Sequence, residues 1–151
     1  MSKILREYIK EIILEKKKAA EKLPGAGIVV VKKFDKEWKV LGLQLYGKYD
    51  IPKGAIEDAE DPLSAAMRET QEEANITQIN FDWGLESISV SHLTVFLAST
   101  TQDAEIIKNP HTGIYEHHSA NWLDWEDMKS KAYGYLVPAI QWAQDKIAEA
   151  N

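Results

Sequence analysis

The 151-residue chain contains no cysteine. That absence excludes a disulfide framework, a thiol nucleophile and a thiolate-bound zinc or iron–sulfur centre. Long apolar runs are missing too. The N-terminal stretch MSKILREYIKEIILEKKKAAEKL carries a charge every few residues, so it reads neither as a signal peptide nor as a membrane span. Basic charge is in deficit, with 18 Lys and Arg against 24 Asp and Glu, a net charge of −6. This argues against wrapping a nucleic-acid duplex through a generic basic surface, though it leaves room for a local phosphate site. There is no internal repeat and no low-complexity segment. What remains, 44% hydrophobic and 28% charged residues, describes one globular domain with a real core, expected to be soluble and cytoplasmic.

Periodicity places the elements. Residues 3–22 have helical spacing through Leu5, Tyr8, Ile9, Ile12, Ile13 and Lys16 until Pro24-Gly25 ends the segment. The division expected is an appended amphipathic helix over 1–23 and a domain over 24–151. The helix either folds onto the domain or makes a homodimer contact; Glu7, Glu11 and Glu15 interrupt its basic face and argue against a membrane surface. Residues 26–34 and 37–46, rich in β-branched and aromatic side chains, predict a hairpin turning at Asp35-Lys36. Asp61 and Pro62 predict a helix start, and Asn75 its left-handed stop. Further strands are expected over 77–83, 86–90, 92–99 and 119–123, with a bend at Trp83-Gly84 and a polar loop over 100–115. A short helix capped by Asp124 and a final helix over 134–149 complete an α/β (α+β) fold, a mixed sheet between helices.

The helix after Asp61 carries an unusual charge pattern. At about 100° per residue, Leu63, Ala66, Met67, Thr70 and Ala74 form a core stripe, and Glu69, Glu72 and Glu73 cluster to one side of it. Carboxylates at spacings of three and four repel by a few tenths of a kcal/mol per pair. Either they form a solvated face on which Arg68 pairs with Glu72, or they are hard-oxygen ligands for Mg2+ or Mn2+. Periodicity alone leaves both open.

The wider spacing resembles the Nudix box. Gly54 is followed after five residues by Glu60, then after seven by Arg68-Glu69, then by Thr70, Gln71, Glu72-Glu73, Ala74, Asn75 and Ile76. Thr70 replaces the usual aliphatic residue and Asn75 the usual glycine; neither removes a charged group. The lead-in YDIPKGAIE (49–57) resembles W-x-x-P-K-G-x-x-E, with Tyr49 in place of Trp, and EHHSANWL (116–123) resembles a Glu-His…Trp-Leu segment of diadenosine-polyphosphate hydrolases. The resemblance spans roughly 25–125, and the size and extra N-terminal helix also resemble a Nudix hydrolase of T-even phages.

The resemblance implies a Nudix fold and these roles. Glu72 and Glu73 are the principal metal ligands, Glu69 a further ligand or the base, Arg68 its orienting partner, and Glu60 the holder of Arg68. The Lys53 carbonyl and Glu116 complete the metal shell, Glu116 doubling as a candidate base. Lys53, Glu57, Tyr49 and His117 are candidate substrate contacts, although Lys53 taken alone reads as an exposed loop lysine and His117 as loop decoration. The histidines lack an i, i+4 pair, so a zinc site is not expected. Trp38, Tyr46, Tyr49, Tyr115 and Tyr133 are candidates for stacking on a base. The implied activity is Mg-dependent cleavage of a nucleoside diphosphate linked to another moiety (ADP-ribose, FAD or diadenosine polyphosphates), releasing AMP. The alternatives are processing of an RNA 5′ end, hydrolysis of damaged nucleoside triphosphates, or a non-catalytic Nudix-fold nucleotide-binding module.

Overall fold

In the computed structural model, which describes residues 2–21 and 23–150, the central strand β1 (Gly25–Phe34) organises the domain. Its first seven residues are all buried. A near-continuous apolar run of that kind belongs to a strand covered on both faces. Ala26, Ile28 and Val30 pack with Leu41, Leu43, Ala65, Ala66 and Phe96 on one side. Val29 and Val31 point the other way, into Met128, Leu136, Ile140 and Ala143. The two-residue period of a strand thus divides one run of valines and isoleucine between two cores.

Around β1 stands a seven-stranded mixed sheet in the order β3-β2-β1-β6-β5, with β4 on β1 and β7 on β2. Here β2 is Glu37–Leu45, β3 Lys48–Asp50, β4 Lys53–Ala55, β5 Ser87–Val90, β6 Leu93–Ser99 and β7 Ser119–Leu123. β6 runs parallel to β1, and β2 and β4 are antiparallel to it. β2 holds the C-terminal half of β1 and β4 its first three residues, so the strands part there. Gly27 makes this possible: a Cβ would lie 2.6 Å from the Pro52 carbonyl oxygen. Helix α2 (Pro62–Ala74) covers one face; α3 (Trp125–Lys131) and α4 (Val137–Glu149) cover the other. A 3-10 turn over Gly134–Leu136 precedes α4, and Pro138 falls in its first turn, where its missing N–H costs nothing. No described helix is long and apolar enough to cross a membrane.

Three expectations are corrected. Residues 77–83 form no strand, only an isolated bridge between Asn80 and Ser99. The Gln102 side chain accepts from the Thr77 and Gln78 amides, and Thr100 Oγ1 donates to the Gln78 carbonyl, so side chains satisfy backbone groups that a ladder would have used. On α2, Met67 is 41% exposed and Ala65 takes its place in the core. Helix α1 (Lys3–Glu21) forms, but Leu5 and Tyr8 are exposed; among the described side chains Ile9, Ile12 and Ile13 are the half-buried ones, and that of Lys16 lies outside them.

Candidate active site

The site is built where α2 crosses the loop joining β3 to β4. Asp61 Oδ1 accepts from the Ser64 amide at 2.8 Å and Pro62 opens α2, as a capped N-terminus requires. Asn75 closes the helix in the left-handed conformation (φ 55°, ψ 34°), its N–H bonded to the Gln71 carbonyl. Ala65, Ala66, Thr70 and Ala74 face the sheet. Thr70 is fully buried, its hydroxyl donating to the Ala66 carbonyl. The acidic side of α2 therefore faces the β3–β4 loop.

There the contacts are close. The Glu69 carboxyl presses on Gly54, where an added Cβ would lie 2.2 Å from its Cδ. The Lys53 amide donates to Glu73 Oε1 at 2.8 Å. Arg68 fans out from α2: its Nε and Nη2 donate to Glu60 at 2.8 and 3.0 Å, Nη1 to Glu69 Oε1 at 2.8 Å, and Nη2 to the Ala55 carbonyl at 3.0 Å. Glu72 is a more distant partner at 3.4 Å. Thus Arg68 bonds to Glu60 and Glu69 first, and the expected i, i+4 pair is its weaker contact. A planar five-donor guanidinium can hold this set at once; an ammonium cannot.

From the opposite side, the loop before β7 delivers Glu116 and His117. Asn109 Nδ2 donates to Glu116 Oε1 at 2.7 Å. His117 is 3% exposed, with Nδ1 3.7 Å from Glu73 and Nε2 3.8 Å from Asp50. Neither distance is a hydrogen bond, and Nε2 is buried without a partner. Lys53 is not an exposed loop lysine: its ammonium is 3.1 Å from Asp50, both side chains being largely buried. Sequence reasoning did not select Asp50; its one signal was its place in the Tyr49–Lys53 lead-in, since burial of both partners depends on the strand pairing.

Glu57, Glu69, Glu72, Glu73, Arg68, Lys53, Glu116 and His117 line one cavity of about 570 Å3. Glu60 acts from behind, through Arg68. Tyr49 is not part of the wall: it packs in the α3–α4 core, 2.7 Å from where a Gly42 Cβ would sit. Of the other rings proposed for stacking, Tyr46 and Tyr133 line the cavity, whereas Trp38 packs edge-on against Trp83. His118 stacks edge-on with Tyr46.

The electrostatics are those of crowded carboxylates. Burial, with Glu72 and Glu116 nearby, lifts Glu69 to about 7 against the pull of Arg68. Burial, then Glu69 and Asp50, hold Glu73 well above the carboxylate range. Glu60, bonded to Arg68, is lowered to about 2. Burial would lower the Lys53 ammonium, but Asp50, Tyr135 and Glu73 together hold it above its ordinary value.

A divalent cation fits these residues. Glu73, Glu116 and His117 each offer a ligand atom, all within 4.8 Å of one another. The raised Glu69 and Glu73 carboxyls are a crowding that a cation would relieve. The donor set is carboxylate oxygen with one imidazole and no thiolate.

The sequence matches the NUDIX domain family over residues 21–143, so the chain belongs to the Nudix hydrolase family. In one stretch of 53 residues it is 40% identical to Nudix hydrolase 25 of Arabidopsis thaliana; that match spans 35% of this chain and 30% of that protein. The fold is similar to a C. elegans Ap4A hydrolase solved as a binary complex, at TM-score 0.68 and 26% identity over 83% of this chain and 98% of that one. It is also similar to the NUDIX domain of Shewanella oneidensis NrtR complexed with ADP ribose, at TM-score 0.60 and 17% identity over 83% and 88% of the two chains, a likeness of fold alone.

Proposed function

We propose that the protein is a divalent-metal-dependent pyrophosphohydrolase. It cleaves the diphosphate of a nucleoside diphosphate joined to a second moiety, such as ADP-ribose, FAD or a diadenosine polyphosphate, and releases AMP. One observation carries this reading: Glu69, Glu72, Glu73 and Glu116 converge in one cavity of about 570 Å3 with Lys53 and Arg68. A volume in that range suits a nucleotide-sized ligand.

A cation bound by Glu72, Glu73 and the Lys53 carbonyl, with Glu69 and Glu116 each as a further ligand or as the base, would neutralise the diphosphate and lower the pKa of water. Within the chain, Arg68 holds Glu69 Oε1, so if Glu69 is the base, Oε2 is the atom at which a proton is taken from water. Glu60 keeps Arg68 in place, and Lys53 sets its charge beside the phosphates while Asp50 restricts its motion. These are contributions of position and charge, which phosphoryl chemistry mostly demands.

The test is a panel of ADP-ribose, FAD and diadenosine polyphosphates with Mg2+ or Mn2+, read as AMP release. Glu72→Gln and Glu73→Gln should reduce turnover by about a hundredfold or more. Wild-type rates in both variants would sink the metal assignment; no turnover on any diphosphate would favour a non-catalytic binding module.

A further inference from the structure

We propose that α1, almost all of which precedes the residues matching the family, adds to the active-site cavity a second subsite that takes the distal nucleoside of a dinucleoside polyphosphate. A second hollow of about 260 Å3 opens between α1 and the domain. Its walls are Ile9, Ile13 and Leu14 of α1 against Leu45, Tyr46 and Tyr115. It adjoins the main cavity, with which it shares Ile13, Leu14, Leu45, Tyr46 and Glu116 as lining residues. A ligand long enough to extend past these shared side chains would reach from the first cavity into the second.

The chemistry of the hollow selects the occupant. These two tyrosine rings and four aliphatic side chains suit a flat heteroaromatic ring, which gains from stacking and from burial of its faces. Arg6 and Lys10 also line the hollow, at helical spacing on the same side of α1 as Ile9 and Ile13. They bring positive charge to the hollow of a protein of net charge −6, although Glu7 stands 3.6 Å from the Lys10 ammonium and Glu116 lines the opposite wall. A base attached to phosphates matches both features; a sugar alone matches neither the rings nor the aliphatic wall. Among the described residues, α1 supplies none to either core cluster, so Arg6 and Ile9 can be altered without opening the domain.

This subsite rests on the hydrolase reading for its ligand class, and a binding measurement separates the two. Full-length wild type, Ile9→Asp and Arg6→Ala are titrated with a methylene-bridged, non-hydrolysable diadenosine polyphosphate and with ADP-ribose, in Mg2+. Both variants should weaken the two-base ligand by about tenfold while changing ADP-ribose by less than about twofold. Equal losses for the two ligands, no loss for either, or no binding of the two-base ligand to wild type would overturn the subsite. If the variants discriminate while the wild type hydrolyses no diphosphate, the subsite stands and the hydrolase reading falls.

Discussion

The Glu69 carboxyl and the backbone of Gly54 occupy contiguous space, with no room for a methyl group between them: a Cβ at 54 would stand 2.2 Å from the carboxyl carbon. Glycine at this position follows from that packing, since nothing larger lets the β4 backbone approach α2 so closely. Gly54→Ala should therefore displace the carboxyl, the movable partner, and leave the folded core largely intact. A shift of about 1 Å at a reacting group costs on the order of a hundredfold in rate. The expected result is that loss in kcat with a small change in thermal midpoint; an unchanged kcat would refute it.

Arg68 joins α2, the loop at Glu60 and β4 through one guanidinium. Arg68→Lys keeps the charge but not the fork, and should leave the Ala55 carbonyl and one Glu60 oxygen without their bonds. Unpaired polar groups in a half-buried setting cost about 1–3 kcal/mol. Urea unfolding of the metal-free protein measures this, and a midpoint equal to wild type would show that lysine suffices.

Metal-free protein should have a stability maximum near pH 4.5. The folded-state Glu69 is raised from 4.5 to about 7, so between these values the folded state retains a proton that the unfolded chain has released. Stability then falls as pH rises through that window, by a few kcal/mol at most on the order expected for such a shift, and Glu73 acts in the same direction. Glu60, lowered from 4.5 to about 2, acts oppositely: its contribution is present above 4.5 and is lost as pH falls toward 2. Chemical denaturation from pH 3 to 8 in EDTA should trace both limbs, and Mg2+ or Mn2+ should flatten the upper one. An upper limb unaffected by either cation would count against the metal site.

Asn75 isolates a purely conformational effect. With φ at 55° it occupies the region where a Cβ is strained, and asparagine tolerates it better than most residues. Asn75→Ala should destabilise by about 1 kcal/mol, whereas Asn75→Gly should be neutral or slightly stabilising. Both should retain wild-type turnover, because residue 75 lies outside the cavity. Alanine matching glycine in the unfolding midpoint would refute the account.

Local rules are legible in this chain because they act over a few residues. The β-branched run at 28–31, the Asp61-Pro62 start and the Asn75 stop each report a local backbone requirement, and the Gly54–Glu60–Arg68–Glu69 spacing is a property of the chain itself. Residues 77–83 were misread for the converse reason. Their apolar and polar alternation suits a strand, but Gln102 and Thr100, more than twenty residues away, bond the backbone instead. Met67 shows how helical periodicity fixes an angle and not a neighbour: the sheet covers Ala65 in its place.

By itself, then, the sequence determined that α2 presents three carboxylates on one side, that a glycine precedes them at fixed spacing, and that the chain belongs to one superfamily's pattern. Tertiary structure alone decided which groups those carboxylates meet. Asp50 and His117 lie 67 residues apart in the chain, yet β2 pairs with both β3 and β7 and so brings their ends to one site. Burial between those strands removes water from Lys53, Asp50, Glu73 and His117, and desolvation is a property of the assembled neighbours that no residue type or spacing encodes. The same holds for the hollow beneath α1, which exists only because the helix lies against Tyr46 and Tyr115.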